Sequence, residues 1–164
     1  MKNVLIVIAA SVISSLAAAY CSGPPDGPYE TYYENGQLQE KGTFVDGELH
    51  GPAEGYYENG QLRSNETYLN GELDGPYETY YENGQLQVKT TFVAGEQDGP
   101  AEGYYENGQL EGKGTYVAGE RDGPAELYHE NGQLQGIGTY NMGEKCGEWI
   151  EDGEPVTYDP CPSN

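Results

Sequence analysis

The sequence has few basic residues and few large apolar ones. Its 164 residues include seven lysines and arginines against 28 aspartates and glutamates, which gives a formal net charge of −21. Such a surface repels the phosphates of nucleic acids and anionic lipid headgroups, so it excludes a role in binding either. It suits a basic partner protein, although the charge also simply keeps an exposed sheet soluble. One tryptophan and two phenylalanines are too few for a large compact core.

Long apolar runs are absent except at the start of the chain. Val4 to Ala19 holds only apolar and small residues, and Ala17 and Ala19 form a small-x-small cleavage site. This run is short for a membrane-spanning helix, which needs about 20 residues. We therefore predict a signal peptide over residues 1–19 and a linker over residues 20–26. The protein is expected to be exported to the periplasm or the cell surface.

Cysteine is rare, and each of the three has its own interpretation. Cys21 follows the apolar run as the lipidated cysteine of bacterial lipoproteins does, although the bulky Tyr20 precedes it. A lipid anchor at Cys21 is therefore an alternative, and it would be the one link to a membrane. Cys146 and Cys161 lie outside the repeating part, and we predict that they form a disulfide in an oxidising compartment. Closing that loop stabilises the end of the chain by about 3 kcal/mol in the chain-entropy model.

The middle of the chain repeats one unit of 24 residues without insertion. Such a period indicates stacked units, none of which buries its apolar face alone. Asn35-Gly36 and Asp46-Gly47 separate the runs within a unit, and Asn-Gly is a strong signal for a two-residue hairpin turn. We predict five units over residues 27–145 and a cap over residues 146–164. The tripeptide Glu-Asn-Gly begins at Glu34, Glu58, Glu82, Glu106 and Glu130.

A two-residue turn at Asn35-Gly36 fixes a register and two faces. Alternation along the strands then separates an apolar face from a polar one. The predicted fold is all-β: an elongated single-layer antiparallel β-meander of ten strands. The register pairs Tyr33 with Leu38, Tyr32 with Gln39, Glu30 with Lys41 and Tyr29 with Gly42. The apolar face carries Tyr29, Tyr33, Leu38 and Phe44, and the polar face carries Glu30, Tyr32, Gln39 and Lys41.

The carboxyl end departs from the repeat. Cys146 replaces the expected aspartate, Glu-Asn-Gly does not return, and Trp149 and Ile150 appear among acidic residues. We interpret these residues as a terminal unit altered to protect the last strand. A ligand pocket at Trp149 is the alternative.

The string GPYETYYENGQLQEKGTFVDGELHG resembles the MORN-variant repeat, and the resemblance covers Gly27 to Gly143. The family pattern has Gly-x-aromatic, Tyr-Tyr-x-Asn-Gly, a Leu and then Gly-x-Tyr-x-x-Gly. Many bacterial proteins of this kind are catalogued as YwqK-family antitoxins. The resemblance implies an elongated β-ribbon for binding or scaffolding, with no catalytic residues and with a toxin as partner. Together with the predicted signal peptide, the resemblance favours an immunity or envelope-scaffold role. The expected aromatic before the Tyr pair is replaced by Thr31, Gly55, Thr79, Gly103 and Leu127.

Catalytic and metal-binding patterns are missing. Equivalent glutamates such as Glu30 and Glu54 lie two strands apart, about 10 Å, whereas Ca²⁺ needs six to eight oxygens at about 2.4 Å. No serine stands in a Gly-x-Ser-x-Gly motif. His50 and His129 are single substitutions in columns that otherwise hold Asp and Tyr. We therefore predict no enzyme, no metal and no cofactor.

One column of tyrosines on the polar face is the candidate binding site. Its flat rings with hydroxyls suit a repeating polymer such as a glycan, or an aromatic-rich protein. Packing onto Gln39 and its equivalents is the purely structural alternative. We predict a non-catalytic exported protein that binds another protein, with a cell-envelope glycan-binding module as the alternative. The column consists of Tyr32, Tyr56, Tyr80, Tyr104 and Tyr128.

Overall fold

A computed structural model of the chain describes residues 23–162, so the predicted signal peptide and Cys21 lie outside the described part. That part is built from strands and turns and contains no helix. Accordingly, no helix between residues 23 and 162 is long and apolar enough to cross a membrane. The strands are β1 (Gly27–Tyr32), β2 (Leu38–Val45), β3 (Glu48–Leu49), β4 (Gly51–Tyr56), β5 (Leu62–Leu69), β6 (Glu72–Leu73), β7 (Gly75–Tyr80), β8 (Leu86–Val93), β9 (Glu96–Gln97), β10 (Gly99–Tyr104), β11 (Leu110–Val117), β12 (Glu120–Arg121), β13 (Gly123–Tyr128), β14 (Leu134–Asn141), β15 (Glu144–Glu151) and β16 (Glu154–Thr157).

All sixteen strands belong to one antiparallel sheet in which neighbours in sequence are neighbours in space. The long strands follow the order β1-β2-β4-β5-β7-β8-β10-β11-β13-β14, and β15 and β16 of the cap complete the sheet. The short strands β3, β6, β9 and β12 pair with the ends of β2, β5, β8 and β11. Each repeat thus supplies two long strands. This arrangement confirms the predicted all-β meander of 24-residue hairpin repeats.

Pairing within a hairpin is longer than pairing between hairpins. The first hairpin aligns six residues of β1 with β2, from Gly27 opposite Phe44 onwards. Between β2 and β4 only Glu40 and Lys41 have aligned partners, Gly55 and Glu54. The strands are therefore aligned over a longer stretch within a unit than between units, and additional contacts at the edges join neighbouring units.

The tight two-residue turn lies at the second loop of each unit, not at Asn35-Gly36 as predicted. Asp46 and Gly47 have φ values of 53° and 81°, and a type I′ turn requires positive φ at both positions. At the first loop only Gly36 has a positive φ, 83°. There Tyr33 N–H donates to the Gln37 carbonyl at 2.9 Å, which closes a three-residue loop followed by a bulge.

The bulge changes part of the predicted register. Glu30 does lie opposite Lys41, and Tyr29 lies opposite Gly42, as predicted. Nearer the loop, however, the prediction is wrong. The extra loop residue shifts the pairing by one position, and a one-residue shift moves a side chain to the other face.

Tyr32 therefore pairs with Leu38 instead of Gln39, and Tyr33 lies in the loop beyond the strand. The bulged position faces the apolar side, because Thr79 Oγ1 contacts Gln87 Oε1 at 3.4 Å and Gln87 is the equivalent of Gln39. The polar face thus gains a leucine, and the apolar face gains a polar side chain.

The apolar face, here called the aromatic face, has its best-buried part at the carboxyl end. Trp149 is only 1% exposed and is the one large side chain among residues 23–162 that is fully buried. It forms a core cluster with Ala125 and Tyr140. Elsewhere the rings of this face remain half-buried, because within residues 23–162 no second layer packs above the sheet. Those half-buried rings are Tyr29, Phe44, Tyr68, Tyr77, Phe92 and Tyr116.

Candidate binding faces

The predicted tyrosine column lies on the polar face, where its five rings are half-buried and its hydroxyls are already bonded. Each hydroxyl donates to the glutamate two residues earlier, because alternation puts positions i and i+2 on the same face. Tyr80 and Tyr104 donate to Glu78 and Glu102 at 2.7 Å. The bond to Glu78 raises the pKa of Tyr80 to about 12. The same contact occurs at Tyr32, Tyr56 and Tyr128.

Lysines complete this pattern of glutamate and tyrosine. Lys41 lies opposite Glu30, as predicted, yet its Nζ binds Glu54 Oε2 of the next unit at 3.0 Å. Lys41 Nζ also lies 5.7 Å from the centre of the Tyr56 ring, within range of a cation–π contact. The Tyr56 hydroxyl, followed by Lys41, holds the pKa of Glu54 below its ordinary value.

Two further lysines form ion pairs on this face: Lys113 reaches the next unit, as Lys41 does, whereas Lys89 binds the glutamate of its own hairpin. Lys89 Nζ binds Glu78 and Lys113 Nζ binds Glu126, both at 3.0 Å. The pKa values of both glutamates are lowered, first by the tyrosine hydroxyls and then by the lysines. Glutamates and lysines therefore contact the tyrosines of this column, whereas Tyr32 lies opposite Leu38 and not opposite Gln39, the residue named in the structural alternative.

One edge of the sheet carries a row of contacts between units that the sequence analysis missed. The Tyr33 hydroxyl donates to the Tyr56 carbonyl of the next unit at 2.7 Å. Asn35 Oδ1 accepts from the Gln37 N–H of its own loop at 2.9 Å, and Asn35 Nδ2 donates to the Glu58 carbonyl at 3.1 Å. The Tyr-x-Asn spacing, which the first four units share, was the signal for this role. Equivalent contacts start at Tyr57, Asn59, Tyr81, Asn83, Tyr105 and Asn107.

The opposite edge joins the units through the tight turns. Gly71 N–H donates to the Leu49 carbonyl of the preceding unit at 2.8 Å, and Gly95 N–H donates to the Leu73 carbonyl at the same distance. Each of these turns follows the last residue of the second long strand of its unit. That residue is exposed on the side of the sheet opposite the aromatic face. The exposed residues are Val45, Leu69, Val93 and Val117.

Large and small side chains share the aromatic face. Tyr29 packs against Phe44 with ring centres 4.8 Å apart, and Tyr77 packs against Phe92 at 5.1 Å. In the other units alanines occupy the positions of Tyr29 and Tyr77. Because these side chains differ in size, the surface of this face has raised and recessed parts along the repeats.

The cap covers the last unit with one indole ring. Trp149 lies edge-on to Tyr140, with ring centres 5.1 Å apart, and its Nε1 donates to the Thr139 carbonyl at 3.1 Å. Lys145 Nζ lies 4.5 Å from the centre of the Trp149 ring. In the structure a disulfide joins Cys146 to Cys161. It ties the segment after β16 back to β15.

The two histidines do not approach one another or a cluster of ligands. His129 takes the place of Tyr105 in the last unit, and its Nε2 contacts Asp152 Oδ1 of the cap at 2.8 Å. Within residues 23–162 no group of three or more His, Cys, Asp or Glu side chains could hold a metal ion.

Comparison with known proteins found a match along the repeats. The sequence model of one protein family, described as MORN repeat variant, matches residues 25–46, 49–70, 73–94, 97–118 and 121–142. These segments make up more than half of the chain. No curated protein matches it.

Proposed function

Because the chain belongs to the MORN repeat variant family, whose repeats are generally protein- or membrane-binding modules, we propose that it binds a partner protein through its aromatic face. One observation carries this proposal: among residues 23–162 the rings of that face stay half-buried over four units and are covered at the cap. Aromatic rings on an unlayered sheet are the side chains that protein interfaces favour.

Charge favours a protein over a membrane as the partner. A net charge of −21 opposes adsorption to anionic lipid, whereas it attracts a basic protein surface and raises the rate of encounter. The partner is therefore a protein with a basic face, which closes over the rings as Trp149 closes over the last unit.

The compartment and the role extend this proposal. The apolar leader and the Cys146–Cys161 disulfide both fit an exported protein of the periplasm or cell surface. An exported binder without catalytic residues fits an immunity protein, which blocks a toxin by covering it, or an envelope scaffold. The resemblance to YwqK-family antitoxins supports the former.

The interface test uses a candidate partner encoded beside the gene and variants of the aromatic face. Tyr77→Ser and Phe92→Ser remove one pair of rings and should weaken binding, measured by calorimetry, by about tenfold or more. Tyr80→Phe on the polar face is the matched control and should leave affinity unchanged. Equal losses from the two faces would refute the aromatic face as the interface.

A glycan is the second candidate ligand, and the tyrosine column favours it. The five rings on the polar face are half-buried and recur about every 10 Å, a repeat suited to a polymer. If this face binds glycan, Tyr80→Ala should reduce retention on peptidoglycan in a pelleting assay, and Tyr77→Ser should not. Wild-type protein that never pellets would rule the glycan out.

A further inference from the structure

The aromatic face alternates large and small side chains and breaks this alternation once. At one position of each unit, and at its equivalent in the cap, the chain carries Tyr29, Ala53, Tyr77, Ala101, Ala125 and Trp149. The strands between them present Gly42, Glu66, Thr90, Gly114 and Gly138. Each of these intermediate positions has an aromatic neighbour in the column except Gly114, which lies between Ala101 and Ala125.

The glycines themselves show the difference. A Cβ on Gly42 would come within 2.8 Å of the Tyr29 ring, and a Cβ on Gly138 within 2.1 Å of the Trp149 ring. A Cβ on Gly114 would meet nothing closer than Ala125 Cβ at 3.5 Å, an ordinary contact. The first two glycines are thus required by the rings above them, whereas Gly114 has no ring above it.

A cavity of about 320 Å³ lies over Gly114. Its floor includes Gly112 and Ala101, and Leu127 and Tyr140 contribute to its wall. The volume falls at the lower end of the range for ligand pockets, about 300–1,000 Å³, which suits a single ring.

The cap shows what such a site accepts. Trp149 lies over Gly138 against Ala125, Leu127 and Tyr140, and all three of these residues also line the cavity over Gly114. The same side chains therefore pack against an indole on one side and border the cavity on the other.

The cap and the cavity each have a positively charged side chain at the same position of the repeat. Lys145 lies over the Trp149 ring, and Arg121, one repeat earlier, borders the cavity. The Arg121 guanidinium lies 5.8 Å from the ring centre of Tyr116 and 5.4 Å from that of Tyr140. It is positioned to stack on a third ring entering between them.

We propose that this cavity binds one aromatic side chain, carried by a basic segment of the partner protein. The seated Trp149 indicates the aromatic group, and the net charge of −21 indicates the basic surroundings. This inference rests on the proposed protein-binding function and locates its central contact.

The test titrates the full chain with the peptide acetyl-Lys-Lys-Trp-Lys-Lys-amide and follows backbone amide shifts by NMR. The amides of Gly112 and Gly114 should move, and those of Gly42 and Gly138, already covered by rings, should not. The same peptide with alanine in place of tryptophan keeps the charge and should leave all four amides in place. A response to both peptides would mean that charge alone binds them, and it would overturn the proposal.

Filling the cavity from within provides the variant test. Ala101→Tyr places at this position the residue that the chain carries at Tyr29 and Tyr77, so the repeat accommodates it. The variant should weaken binding of the tryptophan peptide by about tenfold or more. Arg121→Gln, which keeps the floor intact, should reduce the difference in affinity between the tryptophan and alanine peptides, and it serves if Ala101→Tyr does not fold. Leu69→Ser, at an exposed position opposite the aromatic face, is the control that should change nothing.

The outcomes separate this site from the wider function. Partner binding that depends on Tyr77 and Phe92 but ignores Ala101→Tyr would overturn the cavity site and leave the aromatic face as the interface. Partner binding that none of these substitutions affects would overturn both. Shifts of Gly112 and Gly114 with protein concentration alone would assign the cavity to a second copy of the chain and would also overturn the proposal.

Discussion

The five repeats and the cap stabilise the same sheet in different ways. Successive repeats align only two residue pairs where their long strands meet, and they rely on bonds from loop side chains and turn glycines to the neighbouring unit. The cap concentrates its contacts on one ring: Trp149 is 1% exposed and packs on Tyr140 and Ala125. A disulfide adds to it.

This difference shows how a one-layer sheet keeps a face available for binding. Because the repeats are joined mainly along their two edges, the rings between the edges need no covering layer. In the described part of the chain the cap closes the face at the carboxyl end. Many of the bonds that join the repeats thus lie along the edges, whereas the rings proposed to bind a partner lie between them.

The largest expected effect follows from removing the buried ring of the cap. Trp149→Ala leaves a cavity above Gly138 and should lower the free energy of unfolding by about 3–5 kcal/mol, measured by denaturant titration. Tyr77→Ala removes a half-buried ring of the repeats and should cost less than half as much. Equal losses would show that cap and repeats bury their rings alike.

Breaking the disulfide should have the next largest effect. Cys146 and Cys161 are separated by 15 residues, and opening a loop of that size costs about 3 kcal/mol in the chain-entropy model. Thermal unfolding of the Cys146→Ser, Cys161→Ser double variant should occur at a lower temperature than that of the wild type. Reductant should lower the midpoint of the wild type only, and an effect of reductant on the double variant would contradict this assignment.

A matched pair of asparagines tests the edge bonds between repeats. Asn83 Nδ2 donates to the Glu106 carbonyl of the next unit, whereas Asn131 Nδ2 contacts Gln133 of its own loop. Both side chains also accept the N–H of their own loop. Asn83→Ala should therefore cost about 1 kcal/mol more than Asn131→Ala in denaturant titrations. No difference would mean that the bond between units contributes nothing to stability.

The smallest expected effect concerns the ion pairs of the polar face. The pKa of Glu78 is lowered by Tyr80 and Lys89, so its contribution is fully present above the ordinary glutamate value and is lost as pH falls through the lowered value. Glu78→Gln should cost about 0.2–1 kcal/mol at pH 7, and the cost should vanish in acid. Glu102 bonds Tyr104 but makes no salt bridge within residues 23–162, so Glu102→Gln should cost less. A cost at Glu78 that persists in acid would contradict the ion pair.

Periodicity was enough to predict the fold, because identical units in strict register can only stack. It did not settle which loop is the tight turn. Asn-Gly suits a type I′ turn, but Asn35 makes two side-chain bonds that a three-residue loop permits, one of them to the next unit. A contact between units is invisible in a single unit, and the error moved Leu38 and Gln39 to the wrong faces.

The sequence analysis predicted the tyrosine column but missed the cavity over Gly114. The tyrosine column lies on the face of Glu30, as the alternation predicted, because Tyr32 follows Glu30 by two residues on the strand that carries no bulge. Its bonds to glutamate were not foreseen. The cavity over Gly114 depends on the order of tyrosine and alanine among different units, so it becomes visible only when neighbouring strands are aligned.

Hydroxyl-radical footprinting of the free protein tests most directly whether the aromatic face is open along the repeats and closed at the cap. The buried Trp149 should be labelled slowly, and the half-buried rings of the repeats should be labelled faster. Protection of the repeat rings to the level of Trp149 would mean that a second layer already covers the face, and it would contradict the account. The rings to compare with Trp149 are Tyr29, Phe44, Tyr68, Tyr77, Phe92 and Tyr116.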